Sequence, residues 1–148
     1  MASLTDIREQ IAVSLKNNIT DLQASAYLLS SPTPPAAEVI PGMDHPHRPL
    51  TQYDQAFQRG LDRWWLTVRV YVGIPTDIGA QKQLDAMLAS AGVGSVKAAV
   101  EEDPTLDGTV ENVRVVEVSG YRMYPFPNSS APLLGAEWLV EVLARGDV

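Results

Sequence analysis

The sequence predicts an α+β fold: a mainly antiparallel sheet with an N-terminal helix and a central helix pair packed on one face. Three observations carry that prediction. An amphipathic stripe at helical spacing opens the chain, and strict period-two alternation marks residues 64–72. Strands follow one another with the helices grouped, an order that favours an antiparallel sheet over a doubly wound parallel one. The length of 148 residues corresponds to one domain of about 100–200 residues, so 1–148 is read as a single domain.

Ser3 and Asp6 have the spacing of a capping box, in which hydroxyl and carboxylate satisfy free N–H groups of a first helical turn. Leu4, Ile7, Ile11, Leu15 and Ile19 then form one apolar stripe, with Asn17 and Asn18 as stop residues. A first strand is expected over Leu22 to Leu29. Six of the eleven prolines follow: Pro32, Pro34, Pro35, Pro41, Pro46 and Pro49. Proline lacks the ladder N–H, so no central strand can run the length of that stretch. A short extended piece is expected at Ala36 to Ile40, then a proline-rich loop over residues 41–52.

The clearest strand comes next. Trp64, Leu66, Val68, Val70 and Val72 alternate with Trp65, Thr67, Arg69 and Tyr71. Gly73 and Pro75 end it, and Thr76 is the expected N-cap of a second helix with Asp77 in its first turn. Ala80, Leu84, Met87, Leu88 and Ala91 form that helix's stripe. Gly92 and Gly94 stop it, and Ser95 opens a short third helix to about Glu102. Strands are expected from Val113 to Tyr124 and from Ala136 to Ala144. The sheet face carrying Trp65, Arg69, Tyr71, Glu137, Leu139, Glu141 and Leu143 is expected to lie open for a partner.

Composition narrows the function. The apolar fraction of 45% and charged fraction of 20% are globular values. Eleven Lys and Arg against 18 Asp and Glu give −7, with a pI near 4.7. That balance disfavours a broad grip on phosphates. It suits a surface past which a polyanion moves without sticking. Cysteine is absent, which excludes disulfides, thiolate metal sites and Cys nucleophiles. No apolar run approaches the roughly 18 residues of a membrane span. The N-terminus lacks a signal-peptide pattern, so a soluble intracellular product is expected.

The chemistry-bearing motifs have plain explanations. Asp44-His45-Pro46-His47 offers metal-ligand types, but the prolines give it no scaffold to aim them. No serine sits in a Gly-x-Ser-x-Gly elbow. Gly92-Val93-Gly94-Ser95-Val96-Lys97 follows a helix and lacks phosphate-loop spacing; a glycine stop followed by a serine N-cap accounts for it. Glu101, Glu102 and Asp103, with Asp107, read as a solvated acidic turn. No catalytic, cofactor-binding or metal-ligating residue is assigned. Arginines interleaved with aromatics (Arg59, Arg63 and Arg69 among Phe57, Trp64, Trp65 and Tyr71) fit a protein interface. The interface candidates are His45, His47, Arg48, Tyr53, Arg59, Trp65, Arg69, Tyr71, Tyr121 and Tyr124. The alternative is a small α+β cone-type ligand-binding or enzyme domain, its pocket lined by Trp64, Trp65, Tyr71 and Trp138.

A resemblance covers most of the chain. Ile7-Arg8-Glu9-Gln10-Ile11, Leu28-Leu29, Pro32-Thr33-Pro34-Pro35-Ala36 and Val39-Ile40-Pro41 resemble the opening of tail terminator and tail-completion (neck) proteins of long-tailed actinobacteriophages. The likeness continues through Tyr53 to Asp62, the strand from Trp64 to Val72, Asp77 with Gly79-Ala80-Gln81, Leu84-Asp85 and Gly92 to Ala99. It closes with Gly120-Tyr121-Arg122 and Leu134-Gly135-Ala136-Glu137-Trp138. The resemblance implies a small α+β domain forming a homo-oligomeric ring of six copies. That ring would cap the tail tube and meet the head-tail connector in the virion neck, after synthesis in the host cytoplasm. It implies no cofactor, no catalysis and no membrane. If acids line the channel, Glu101, Glu102, Asp103 and Asp107 are the candidates, and DNA would pass without specific binding.

Overall fold

The computed structural model describes residues 3–42, 49–53, 61–127 and 131–145. Its elements are α1 (Leu4–Asn18), β1 (Gln23–Ser25), β2 (Ala36–Pro41), β3 (Thr51–Gln52), β4 (Leu61–Gly73), α2 (Ile78–Met87), α3 (Val96–Glu101), β5 (Asn112–Tyr124) and β6 (Leu133–Arg145). The fold is α+β. One six-stranded sheet runs in the order β1-β2-β4-β6-β5, with β3 pairing β4 off that path. Every strand pair is antiparallel except β1 with β2.

The capping box forms as its spacing predicts: Ser3 Oγ accepts from Asp6 N and Asp6 Oδ2 accepts from Ser3 N, both at 3.1 Å. Ile7, Ile11 and Leu15 are fully buried against the sheet. On β4, Leu66, Val68 and Val70 are fully buried and Trp64 partly so. Their partners on β6 are Val140, Trp138 and Ala136, all without exposed surface. Leu84 and Met87 of α2 complete this layer, and Leu88 packs at its margin. Burial of such side chains stabilises by about 1.5–3 kcal/mol each, so this helix-covered face is the main core. Among the described residues, Trp138 Nε1 is buried there without an acceptor.

Several boundaries differ from expectation. The first strand is only Gln23–Ser25 rather than 22–29. Ser25 Oγ donates to the Tyr27 carbonyl and accepts from Tyr27 N, a local turn that competes with the ladder. The N-cap of α2 is Asp77, not Thr76: its carboxylate accepts from Gly79 N at 2.9 Å. The expected loop 41–52 begins inside β2 and ends in β3. Gly42 N donates to Trp65 O (2.7 Å) and Trp65 N donates to Leu50 O (2.9 Å). The chain therefore leaves the sheet at Gly42 and rejoins it at Leu50 on one β4 residue.

Candidate subunit interface

The face opposite the helices is where most interface candidates fall. Period two places Trp65, Thr67, Arg69 and Tyr71 of β4 there, beside Glu141, Leu139, Glu137 and Gly135 of β6. It is not the open face the sequence suggests. Trp65, Tyr71, Tyr124, Leu139 and Glu141 are all buried. The long side chains on this face lie down along the sheet and pair with one another, which covers the apolar surface between them.

The pairing is a ladder of alternating charge across the strands. Glu38 on β2 stands opposite Arg69 on β4, and Arg69 stands opposite Glu137 on β6. Arg69 Nη1 lies 3.6 Å from Glu38 Oε1 and its Nη2 lies 3.4 Å from Glu137 Oε2. Arg122 of β5 extends the row, its Nη2 at 3.6 Å from Glu137 Oε1. A second cluster joins Glu141 to Arg114 at 3.0 Å and to Arg63 at 3.5 Å. Glu38 is 2% exposed and is well satisfied. Its Oε2 accepts from Leu29 N and its Oε1 from the Tyr71 hydroxyl, both at 2.7 Å. Buried charge is tolerable only with such partners.

Aromatic rings fill the gaps. The guanidinium carbons of Arg69 and Arg122 sit 4.7 and 4.9 Å from the Tyr124 ring centroid, within cation–π range. Tyr71 meets Tyr124 and Phe126 edge to face. The Tyr124 hydroxyl lies 2.6 Å from the Gly120 carbonyl and 2.9 Å from Glu137 Oε1, so two acceptors compete for its proton. Burial, then the Glu137 hydrogen bond and charge, push the Tyr124 phenol up to about 12. Burial and the Glu38 hydrogen bond likewise raise Tyr71. Both stay neutral donors, locking the carboxylates in place.

The remaining candidates scatter. Tyr53 is exposed at the other end of β4, near exposed Leu50 and Leu61. Tyr121 is exposed on β5 and donates to Asp85 of α2 at 3.0 Å. His45, His47, Arg48 and Arg59 lie outside the described residues. The acidic turn is more ordered than a solvated run. Glu101 binds Lys97 through both oxygens and accepts from Val115 N at 2.8 Å. Asp103 accepts from Asp107 N, Thr105 N and the Thr105 hydroxyl, which holds its carboxyl below the usual range, chiefly through Asp107 N. Glu102 and Asp107 are exposed.

No family model matches the chain, and no curated protein matches it. Geometry alone must therefore weigh the candidates. The aromatics proposed for a common pocket divide between two faces: Trp64 and Trp138 on the helix side, Trp65 and Tyr71 on the other. Glu38, the best-buried acid, escaped sequence reasoning. Its signal was a carboxylate inside the apolar run Ala36-Ala37-Glu38-Val39-Ile40. An acid so placed needs a cationic partner on the neighbouring strand, and Arg69 supplies it.

Proposed function

We propose that this chain is a structural virion-assembly protein whose copies form a ring, six in number, that caps a phage tail tube and joins it to the head connector. One observation supports this reading above the others: where apolar side chains are left outside. Exposed large apolar residues lie at the β5 edge (Val118, Tyr121, Met123), beyond the β1 edge (Tyr27, Leu28) and at one end of the sheet (Leu50, Tyr53, Leu61). A ring subunit needs two different flanks for its neighbours and an end for the tube it covers. The charged groups of the opposite face are meanwhile spent on internal pairs, which makes a stiff plate rather than a reactive cleft. Exposed Glu102 and Asp107, on a chain of −7, suit a channel that repels DNA and lets it slide.

The test adds purified protein to isolated tail tubes and locates it by gold labelling in electron micrographs. Label at one end of each tube is the expected result. Label spread along the tubes, or none, with normal tails assembled in the absence of this protein, would refute the reading.

A further inference from the structure

The two apolar edges lie at the same level of the sheet. Beyond β1, Leu29 N binds Glu38, and Glu38 heads a row that crosses Arg69 and Glu137 to Ser119 on β5. Val118, Tyr121 and Met123 flank that row at the far edge. Tyr121 bonds Asp85 on α2, and Ile78, two helical turns from Asp85, lies along the same side of α2. At the near edge the Arg8 guanidinium lies over the Tyr27 ring at 4.9 Å, and the Tyr27 hydroxyl donates to Glu9 at 2.6 Å. All six apolar residues, Tyr27 and Leu28 on one edge and Ile78, Val118, Tyr121 and Met123 on the other, are between 40% and 66% exposed.

Charge differs between the edges in the complementary sense. Beside Tyr27, Asp6 and Glu9 are exposed, while Arg8 turns inward to the carbonyls of Ala26 and Val39. On β5, Arg114 and Arg122 are 59% and 61% exposed despite their internal partners, with Glu117 between them. From the matched level and the opposed charge we infer that the β5 edge of one copy, with Ile78 of α2, docks on the Tyr27–Leu28 edge of a second copy. The contact names the neighbour surface within the ring reading and rests on that reading. Patches at one level relate successive copies by rotation with little rise, the condition under which a head-to-tail contact closes instead of growing into a filament. The contact is made by side chains. Glu101 occupies the Val115 N–H, and register shifts between Val115 and Glu117 and between Ser119 and Arg122 break the β5 edge, which discourages strand addition.

The chain has no cysteine, so single substitutions report contacts cleanly. Leu28→Cys and Met123→Cys variants are prepared separately, then oxidised mildly alone and mixed, each with and without tail tubes. A disulfide needs Cα atoms within about 7 Å. The expected result is a covalent dimer only in the mixture, cut at least tenfold by Tyr121→Asp in the Met123→Cys chain. A doubly substituted chain should give a ladder ending in one closed species. A dimer of Met123→Cys with itself would replace this contact with a two-fold one, and absence of the mixed dimer under both conditions would overturn it. If tube ends are labelled while the mixed dimer fails, the contact is wrong and the ring reading stands. If the dimer forms while tube ends stay bare, the contact stands and the tail-tube role fails.

Discussion

Replacing Glu38 by Ala removes the centre of the charged ladder at a site only 2% exposed. Two donors lose their acceptor at once: Leu29 N and the Tyr71 hydroxyl, each 2.7 Å from the carboxylate. An orphaned buried donor costs about 1–3 kcal/mol. Arg69 keeps Glu137 at 3.4 Å and its side chain is 24% exposed, so loss of the ion pair adds less than in a dry interior. The expected destabilisation is therefore about 3 kcal/mol, from two donors near the middle of that range. For a chain of this size it should lower Tm by about 6–12 °C, at roughly 2–4 °C per kcal/mol. Urea denaturation followed by circular dichroism measures it, with the slope m unchanged. Glu38→Gln retains one acceptor oxygen and should lose about half as much. A cycle with Arg69→Met should show a coupling of about 0.5–3 kcal/mol. An Ala variant within about 0.5 kcal/mol of the parent, the scatter of an ordinary surface change, would refute the claim that this face is fixed by its charges.

Other outcomes follow from the same geometry. Val68→Asp places an unpaired charge at a site with no exposed surface, and the variant should be insoluble or unfolded by circular dichroism. Gly120→Ala should lower Tm. Gly120 has φ +69, and a Cβ there would meet the Tyr124 hydroxyl at 2.5 Å and Glu137 Oε1 at 2.9 Å; a parent-like Tm would show that this turn relaxes freely. Alkali should unfold the protein between pH 10 and about 12, because Tyr124 is raised from 10.0 to about 12. A raised folded pKa gives stability that is full below pH 10 and lost as pH climbs through the folded value. Ultraviolet titration should show Tyr71 and Tyr124 ionising only with unfolding, and reversible ionisation of all tyrosines near pH 10 would contradict it. Excising residues 43–48 should leave Tm within a few degrees, since Gly42 and Leu50 already meet at Trp65, while weakening tail-tube attachment.

What the sequence made legible were features set by neighbours along the chain. The capping box at Ser3 and Asp6 and the alternation from Trp64 to Val72 each depend on local spacing, and both formed as read. The acceptor at α2 differed by one residue because Thr76 and Asp77 are both good caps and only the fold chooses. The charged face failed for a different reason. Period two correctly put Trp65, Arg69 and Tyr71 on one side, yet burial depended on Glu38, Glu137 and Arg122. These lie 31, 68 and 53 positions away from Arg69 in the sequence. Pairings at that range are fixed by strand order, which alternation does not encode.

The ladder and the edges are parts of one arrangement. A sheet that must meet a neighbour at both edges transmits any shear between strands directly into a misaligned contact. Rows of hydrophobic residues on the helix side resist separation of the strands, but sliding by two residues would return apolar to apolar positions. The row Glu38, Arg69 and Glu137 removes that freedom. Sliding β4 against β6 by two residues would set Arg69 opposite Gly135 or Leu139, stranding its charge and that of Glu137 in a largely covered layer. Arg114 and Arg63 on Glu141 pin a second row further along the same strands. With register fixed at two rows, Leu28 and Val118 are held level across the whole width of the sheet. The carboxylates buried on this face thus serve alignment more than raw stability, the use for which buried polar pairs are best attested.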